Sequence, residues 1–143
     1  MVSKKKEIND YDSLLNRAKS LIPEEISATE RLEIPKVKGH VQGNKTIIIN
    51  MFQIAKLIDR PIEHLLKFLS KELATKADVK NTSILFINKL ASSKINEKIQ
   101  KYADTFAICK ECGKPETKLI KDNNLTFLKC QACGAKYTIQ YRI

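Results

Sequence analysis

The chain has 143 residues, of which 43% are hydrophobic. That permits one ordinary domain or two small ones around a core, and it argues against global disorder. No apolar run reaches the ~20 residues of a membrane-spanning helix. The formal net charge is +10, from 26 Lys and Arg against 16 Asp and Glu; this suits an anionic partner such as RNA and equally suits plain solubility.

The start, Met-Val-Ser-Lys-Lys-Lys-Glu, has no apolar signal core, so a cytoplasmic home with reduced cysteines is expected. Residues 7–22 place Ile8, Tyr11, Leu15, Ala18 and Ile22 at helical spacing, with Leu14 beside them. Pro23 ends this helix. Early Glu7, Asp10 and Asp12 and late Arg17 and Lys19 suit its dipole. An isolated helix of this length is marginal in water. Its apolar stripe therefore docks either on its own domain or in a groove of a partner protein.

An acidic linker follows, with Glu24, Glu25, Glu30 and Glu33 against Arg31. From Pro35 to Arg60 the balance reverses: Lys36, Lys38, Lys45, Lys56 and Arg60 face only Asp59. Phosphate contact is expected from this segment or from the basic C-terminal module, with Lys36, Lys38, Lys45 and Lys129 as candidates. Residues 35–49 read as two strands about a turn at Gln42-Gly43-Asn44. Asn50 is placed to cap a helix over residues 51–59 whose Met51, Ile54, Ala55 and Ile58 share a face. Arg60-Pro61 opens a second helix with Ile62, Leu65, Leu66, Leu69 and Leu73 as its stripe. Two short helices at a tight turn fit a helix-turn-helix and also fit plain packing. Residues 77–80 and 83–87 read as strands around Asn81-Thr82. Ser92 or Ser93 caps a third helix that faces Ile95, Ile99, Tyr102 and Ala103 inward.

All four cysteines fall in the last stretch: Cys109-Lys-Glu-Cys112-Gly, 16 further residues, then Cys130-Gln-Ala-Cys133-Gly. Two such pairs at this separation are the ligand set of a tetrahedral metal site, expected to hold one structural Zn²⁺. Gly113 and Gly134 stand where each turn needs positive φ. Four thiolates leave no open coordination position. Iron held by the same four sulfurs, or two disulfides, are the alternatives. Strands at 117–121, 125–129 and 136–141 complete a zinc ribbon, too small to fold without metal and with a core separate from that of the central part.

His40 and His64 are the only histidines, and both read as structural or exposed. Gly43-Asn44-Lys45-Thr46 lacks the upstream glycine of a P-loop and precedes a strand. No serine–histidine–acid set or paired carboxylates appear among these residues.

Gly43-Asn44-Lys45-Thr46, the apolar strand after it and Arg60-Pro61-Ile62-Glu63-His64-Leu65-Leu66-Lys67-Phe68-Leu69 resemble the central domain of the archaeal translation initiation factor 2 beta-subunit family. The two cysteine knuckles and Tyr11-x-x-Leu14-Leu15-x-Arg17-Ala18 resemble that family's ribbon and first helix. The resemblance implies an α+β protein: a docking helix over 1–22, a linker over 23–34, a small central α/β domain of antiparallel strands with helices over 35–104, and a zinc ribbon over 105–143. It implies a subunit of a heterotrimer. Tyr11, Leu14, Leu15 and Ala18 dock on the GTP-binding gamma subunit, and the alpha subunit is joined through gamma. The complex carries initiator methionyl-tRNA to the small ribosomal subunit. A stand-alone zinc-ribbon nucleic-acid module, and a relative of the GTPase-stimulating initiation factor five, are the alternatives.

Overall fold

The computed structural model describes residues 10–23 and 32–143. The chain divides into two compact units, Met1–Glu30 and Arg31–Ile143. The division falls inside the acidic stretch.

In the first unit, α1 spans Tyr11–Leu21, with Asp12 in its first turn and Lys19 in its last. Ile22 leaves the helix in an extended conformation, as a residue before proline must. None of its residues is buried. The expected start at residue 7 lies outside the described residues.

The second unit opens with a hairpin, β1 (Gly39–Gln42) and β2 (Lys45–Ile48), closed through Gly43 at φ +62°. Two helices follow, α2 (Met51–Ile58) and α3 (Ile62–Glu72), then β3 (Ala77–Lys80) and β4 (Ser83–Phe86). The four strands form one antiparallel sheet in the order β1-β2-β4-β3, with Ile47 opposite Leu85 and Ile48 opposite Ile84. Helix α4 (Ser92–Phe106) follows. The last part is a second antiparallel sheet, β5 (Thr117–Asp122), β6 (Leu125–Cys130) and β7 (Lys136–Ile139), in sequential order. The described residues thus form four helices and two antiparallel sheets, the α+β class expected from sequence.

Gly39 has a steric reason: a Cβ there would run into the Ile47 carbonyl oxygen of the paired strand. Asn50 does not cap α2 with its side chain. Its Oδ1 accepts from the Lys38 amide (2.7 Å) and its Nδ2 donates to the Lys36 carbonyl (2.9 Å), so the amide pins the chain that enters β1. The α4 N-cap is Ala91 rather than a serine, without a side-chain bond. Thr46 sets that entry instead: its hydroxyl donates to the Asn88 carbonyl and accepts from the Leu90 amide.

The expected stripes of α2, α3 and α4 are buried except for the half-buried Ile62 and Leu73, and Phe68 and Phe106 join them. The two separate cores expected from sequence are one. Leu128 of β6 and Ile139 of β7 belong to the same cluster as Ile48, Ile54, Phe68, Ile84 and Tyr102, and Leu119, Tyr137 and Tyr141 pack against it. The reason is size: a ribbon this small cannot bury its own apolar face and leans on the helices.

Arg60, at the αL corner between α2 and α3, holds that junction. The corner itself is Asp59 at φ 56°. The guanidinium is buried and uses all five donors. Nε and Nη2 reach the Phe106 carbonyl (3.2 and 2.8 Å). Nη1 reaches the Asp59 and Thr117 carbonyls, and Nη2 also reaches the Thr117 hydroxyl. That hydroxyl in turn donates to the Ala107 carbonyl. One side chain therefore ties the helix corner, the end of α4 and the start of β5.

A second tie closes from the C-terminal side. The Tyr141 hydroxyl donates to Glu72 Oε1 at 2.6 Å, and Lys98 and Lys101 pair with Glu72 Oε2 at 3.0 and 3.1 Å. The Tyr141 ring meets Phe68 at 5.1 Å and Phe106 at 6.0 Å between centroids.

Replacing Arg60 with Leu should cost on the order of 3 kcal/mol in urea unfolding, since it strands the Phe106 and Thr117 oxygens; a change under about 1 kcal/mol would contradict the clasp. The Tyr141 hydroxyl, then Lys98 and Lys101, hold the Glu72 carboxyl down at about 2, against an ordinary 4.5. The stability it lends is therefore complete above about pH 4.5 and is lost as pH falls towards 2. Urea midpoints should fall across that window in the parent chain and fall less steeply in Glu72→Gln; parallel slopes would refute the assignment.

Candidate functional site

The cysteines sit on two turns. At the first, the Gly113 amide donates to the Cys109 carbonyl (2.9 Å) and the Cys109 amide to the Lys114 carbonyl (3.0 Å). At the second, the Cys130 amide donates to the Ala135 carbonyl (2.8 Å). Gly113 and Gly134 have φ of +68° and +76°, a left-handed conformation that disfavours other residues. Cys109 and Cys130 are buried and Cys133 is exposed.

All four sulfurs lie within 4.8 Å of one another. Cys109 Sγ is 3.7 Å from Cys133 Sγ, and Cys112 Sγ is 3.5 Å from Cys130 Sγ. A tetrahedron with metal–sulfur bonds of about 2.3 Å has edges of about 3.8 Å. The thiols are free, at separations far beyond the ~2.05 Å of a disulfide. The Cys133 amide points at Cys130 Sγ (3.5 Å) and draws that thiol down to about 7. The Lys114 amide favours the Cys112 thiolate, but burial and the crowding sulfurs outweigh it and push that thiol up to about 12. Crowded thiols resist ionising together, and a cation at their centre removes the conflict. The donor set fits a metal ion bound by four thiolates.

Tyr137, which sequence reasoning did not single out, braces the first turn. Its hydroxyl donates to the Ile108 carbonyl (3.3 Å) and accepts from the Lys110 amide (3.1 Å). The clasp reaches the same place, because Thr117, held by Arg60, is the register partner of Cys130. The Arg-Pro dipeptide was the available signal for Arg60; nothing local marks Thr117.

Tyr11, Leu14, Leu15 and Ala18 fall at i, i+3, i+4 and i+7 on α1, all exposed. Tyr11 is 73% exposed, a value unusual for an aromatic side chain. Lys36, Lys38, Lys45 and Lys129 are exposed but not gathered: the first two precede β1, Lys45 stands at the hairpin turn and Lys129 lies on β6. His40 is exposed. His64 is half-buried, with Nδ1 2.8 Å from the Tyr102 hydroxyl, and burial followed by the charges of Arg60, Lys121 and Lys67 keeps it below its ordinary range. No helix among the described residues is long and apolar enough to cross a membrane.

The family profile for a domain found in initiation factors 2B and 5 matches residues 23–136. The translation initiation factor 2 subunit beta of Methanococcus maripaludis (strain C5) is 44% identical over 126 residues, 88% of this chain and 91% of that one. The chain belongs to the translation initiation factor 2 beta-subunit family. The subunit beta of Methanopyrus kandleri is 40% identical over 126 residues, again 88% and 91% of the two chains. That of Methanosphaera stadtmanae is 34% identical over 136 residues, 95% and 96% of them. The likeness to this family therefore extends over helix, central sheet and ribbon alike. The profile alone spans factor two and factor five relatives; the named relatives single out factor two.

Because the ribbon shares its core with α3 and α4, damage at the metal set should spread. A strong chelator, or Cys109→Ser, should lower the melting temperature of the whole second unit by more than about 10 °C, at ~4 °C per kcal/mol. A melt in which the helical part kept its transition while the ribbon unfolded would overturn the shared core.

Proposed function

We propose that this protein is the beta subunit of a heterotrimeric translation initiation factor 2 and has no catalytic activity of its own. In this reading α1 docks on the GTP-binding gamma subunit, and the alpha subunit joins through gamma. The complex delivers initiator methionyl-tRNA to the small ribosomal subunit in a GTP-dependent manner, in the cytoplasm. The division at 1–22, 23–34, 35–104 and 105–143, with the linker between docking helix and body, belongs to the same proposal. One structural Zn²⁺ sits among Cys109, Cys112, Cys130 and Cys133. Lys36, Lys38, Lys45 and Lys129 are the candidates for RNA contact.

The observation that carries the reading is the exposed stripe of α1 on a chain with this family membership. Tyr11, Leu14 and Leu15 keep 73%, 48% and 36% of their surface exposed. A helix this short gains little stability alone, so an aromatic and two leucines on one face are anchors for a groove. Zinc is favoured by the closed Cys₄ set, which serves structure rather than redox exchange.

Calorimetric titration of the chain into purified gamma subunit tests the reading. Saturable binding should weaken by at least about 100-fold in Leu15→Asp, which places a charge in the centre of an apolar contact. Equal affinity in parent and mutant would remove α1 from the interface, and no binding at all would remove the subunit assignment.

A further inference from the structure

The corner between α2 and α3 faces the β5–β6 hairpin across a cleft of about 350 Å³, within the size range of small-ligand sites. Arg60, Pro61 and His64 form one wall, and Lys118, Leu119 and Lys121 the other. Asp59 is the one carboxylate among the lining residues, and Thr126, the register partner of Lys121, adds a hydroxyl.

Three features give this cleft a chemical preference. First, its charge is lopsided: three permanent cations face one carboxylate. Second, the oxygens that Arg60 meets are carbonyls and a hydroxyl, none with a formal charge. Its donors are all used on neutral oxygens and the Asp59 carboxylate is the one anion of the lining that acts on it, so an anion placed nearby still gains from its field. Third, Lys121 shares the Leu119 face of β5 and Lys118 stands on the opposite face of this edge strand, both exposed, and each brings an ammonium with three mobile donors. Pro61 and Leu119 supply apolar surface between these charges. Anionic groups beside an apolar wall are the chemistry of a phosphate carried on a nucleoside.

We propose that this cleft binds a nucleotide unit, its phosphoryl group held by Lys121 in the field of Arg60, with Lys118 adding positive charge at the rim, and its base or sugar against Pro61 and Leu119. The unit comes either from a free mononucleotide or from an unpaired position of an RNA strand. The site is distinct from α1, from the four cysteines and from the lysines assigned above to RNA contact, and it stands whether or not the subunit assignment holds.

The test is an amide-resolved NMR titration of the full chain with inorganic phosphate, AMP and a short oligouridine. Saturable shifts should centre on residues 59–64 and 118–121, and AMP should bind about tenfold more tightly than phosphate. The Lys118→Glu/Lys121→Glu double variant lies on exposed strand positions and should keep a dispersed spectrum while losing about tenfold or more in affinity. Lys94→Glu changes the charge in the same sense at the other end of α4 from Phe106, and it should stay within about twofold. The His64 ring, faced by Arg60, Lys121, Lys67 and the Tyr102 hydroxyl, should titrate at higher pH once the anion is bound. Tighter binding of the oligouridine at the same amides assigns the site to an RNA strand; tighter binding of AMP assigns it to a free nucleotide. No saturable shift at about 10 mM ligand, or equal losses in Lys94→Glu and the double variant, overturns the proposal.

Discussion

The guanidinium of Arg60 is where three distant stretches of chain meet. It closes the αL corner on itself, takes both lone pairs of the last carbonyl of α4, and grips the first residue of β5 by carbonyl and hydroxyl. Only arginine carries five donors in a fixed planar fork, so no other residue could satisfy these oxygens from one position. The end of a helix is a row of carbonyls without partners, and here a buried end is completed by a side chain from another element. With that contact in place the ribbon has a fixed seat. Its leucine and isoleucine then complete a core that neither part could fill alone.

The clasp also places the metal set within the fold's cooperative unit. Thr117 lies in Arg60's grip and opposite Cys130 in the sheet. Tyr137 leans from β7 onto the first cysteine turn. The cysteine turns, the sheet register and the helix end are therefore tied by successive hydrogen bonds. α1 is built on the opposite plan, with no residue buried and a face of large apolar side chains. A chain so divided buries a core in one unit and, among the described residues, leaves those of α1 in the other unburied.

What the sequence made legible was local. The central hairpin turns announced themselves through Gly43 and Asn81, which take positive φ. The cysteine spacing named its own chemistry, and the stripes of α2, α3 and α4 fell on buried faces. What it hid was long-range. Thr117 is 57 residues from Arg60, and Tyr141 is 69 from Glu72. No periodicity records such a pairing. Asn50 stood at a helix start with the right chemistry for a cap, yet its amide does more by holding two backbone groups of the preceding segment. Neither Ser92 nor Ser93 caps α4, and Thr46 instead pins the Asn88 carbonyl and Leu90 amide ahead of it. In both cases tertiary contact overrode a local preference. The ribbon's separate core failed for a related reason: its size forbade independence, and its alternating pattern does not say what lies across from it.

Tyr141 comes after every other member of its aromatic cluster in chain order, and Phe68, Tyr102 and Phe106 all precede it. A nascent chain leaves the ribosome amino end first, so the helices and four-stranded sheet emerge while the seat for that ring is still open. During this interval Glu72 has its lysines but not its tyrosine, and an aromatic surface faces solvent. The aromatic cluster and the Glu72 network are therefore complete only once residue 141 has left the ribosome.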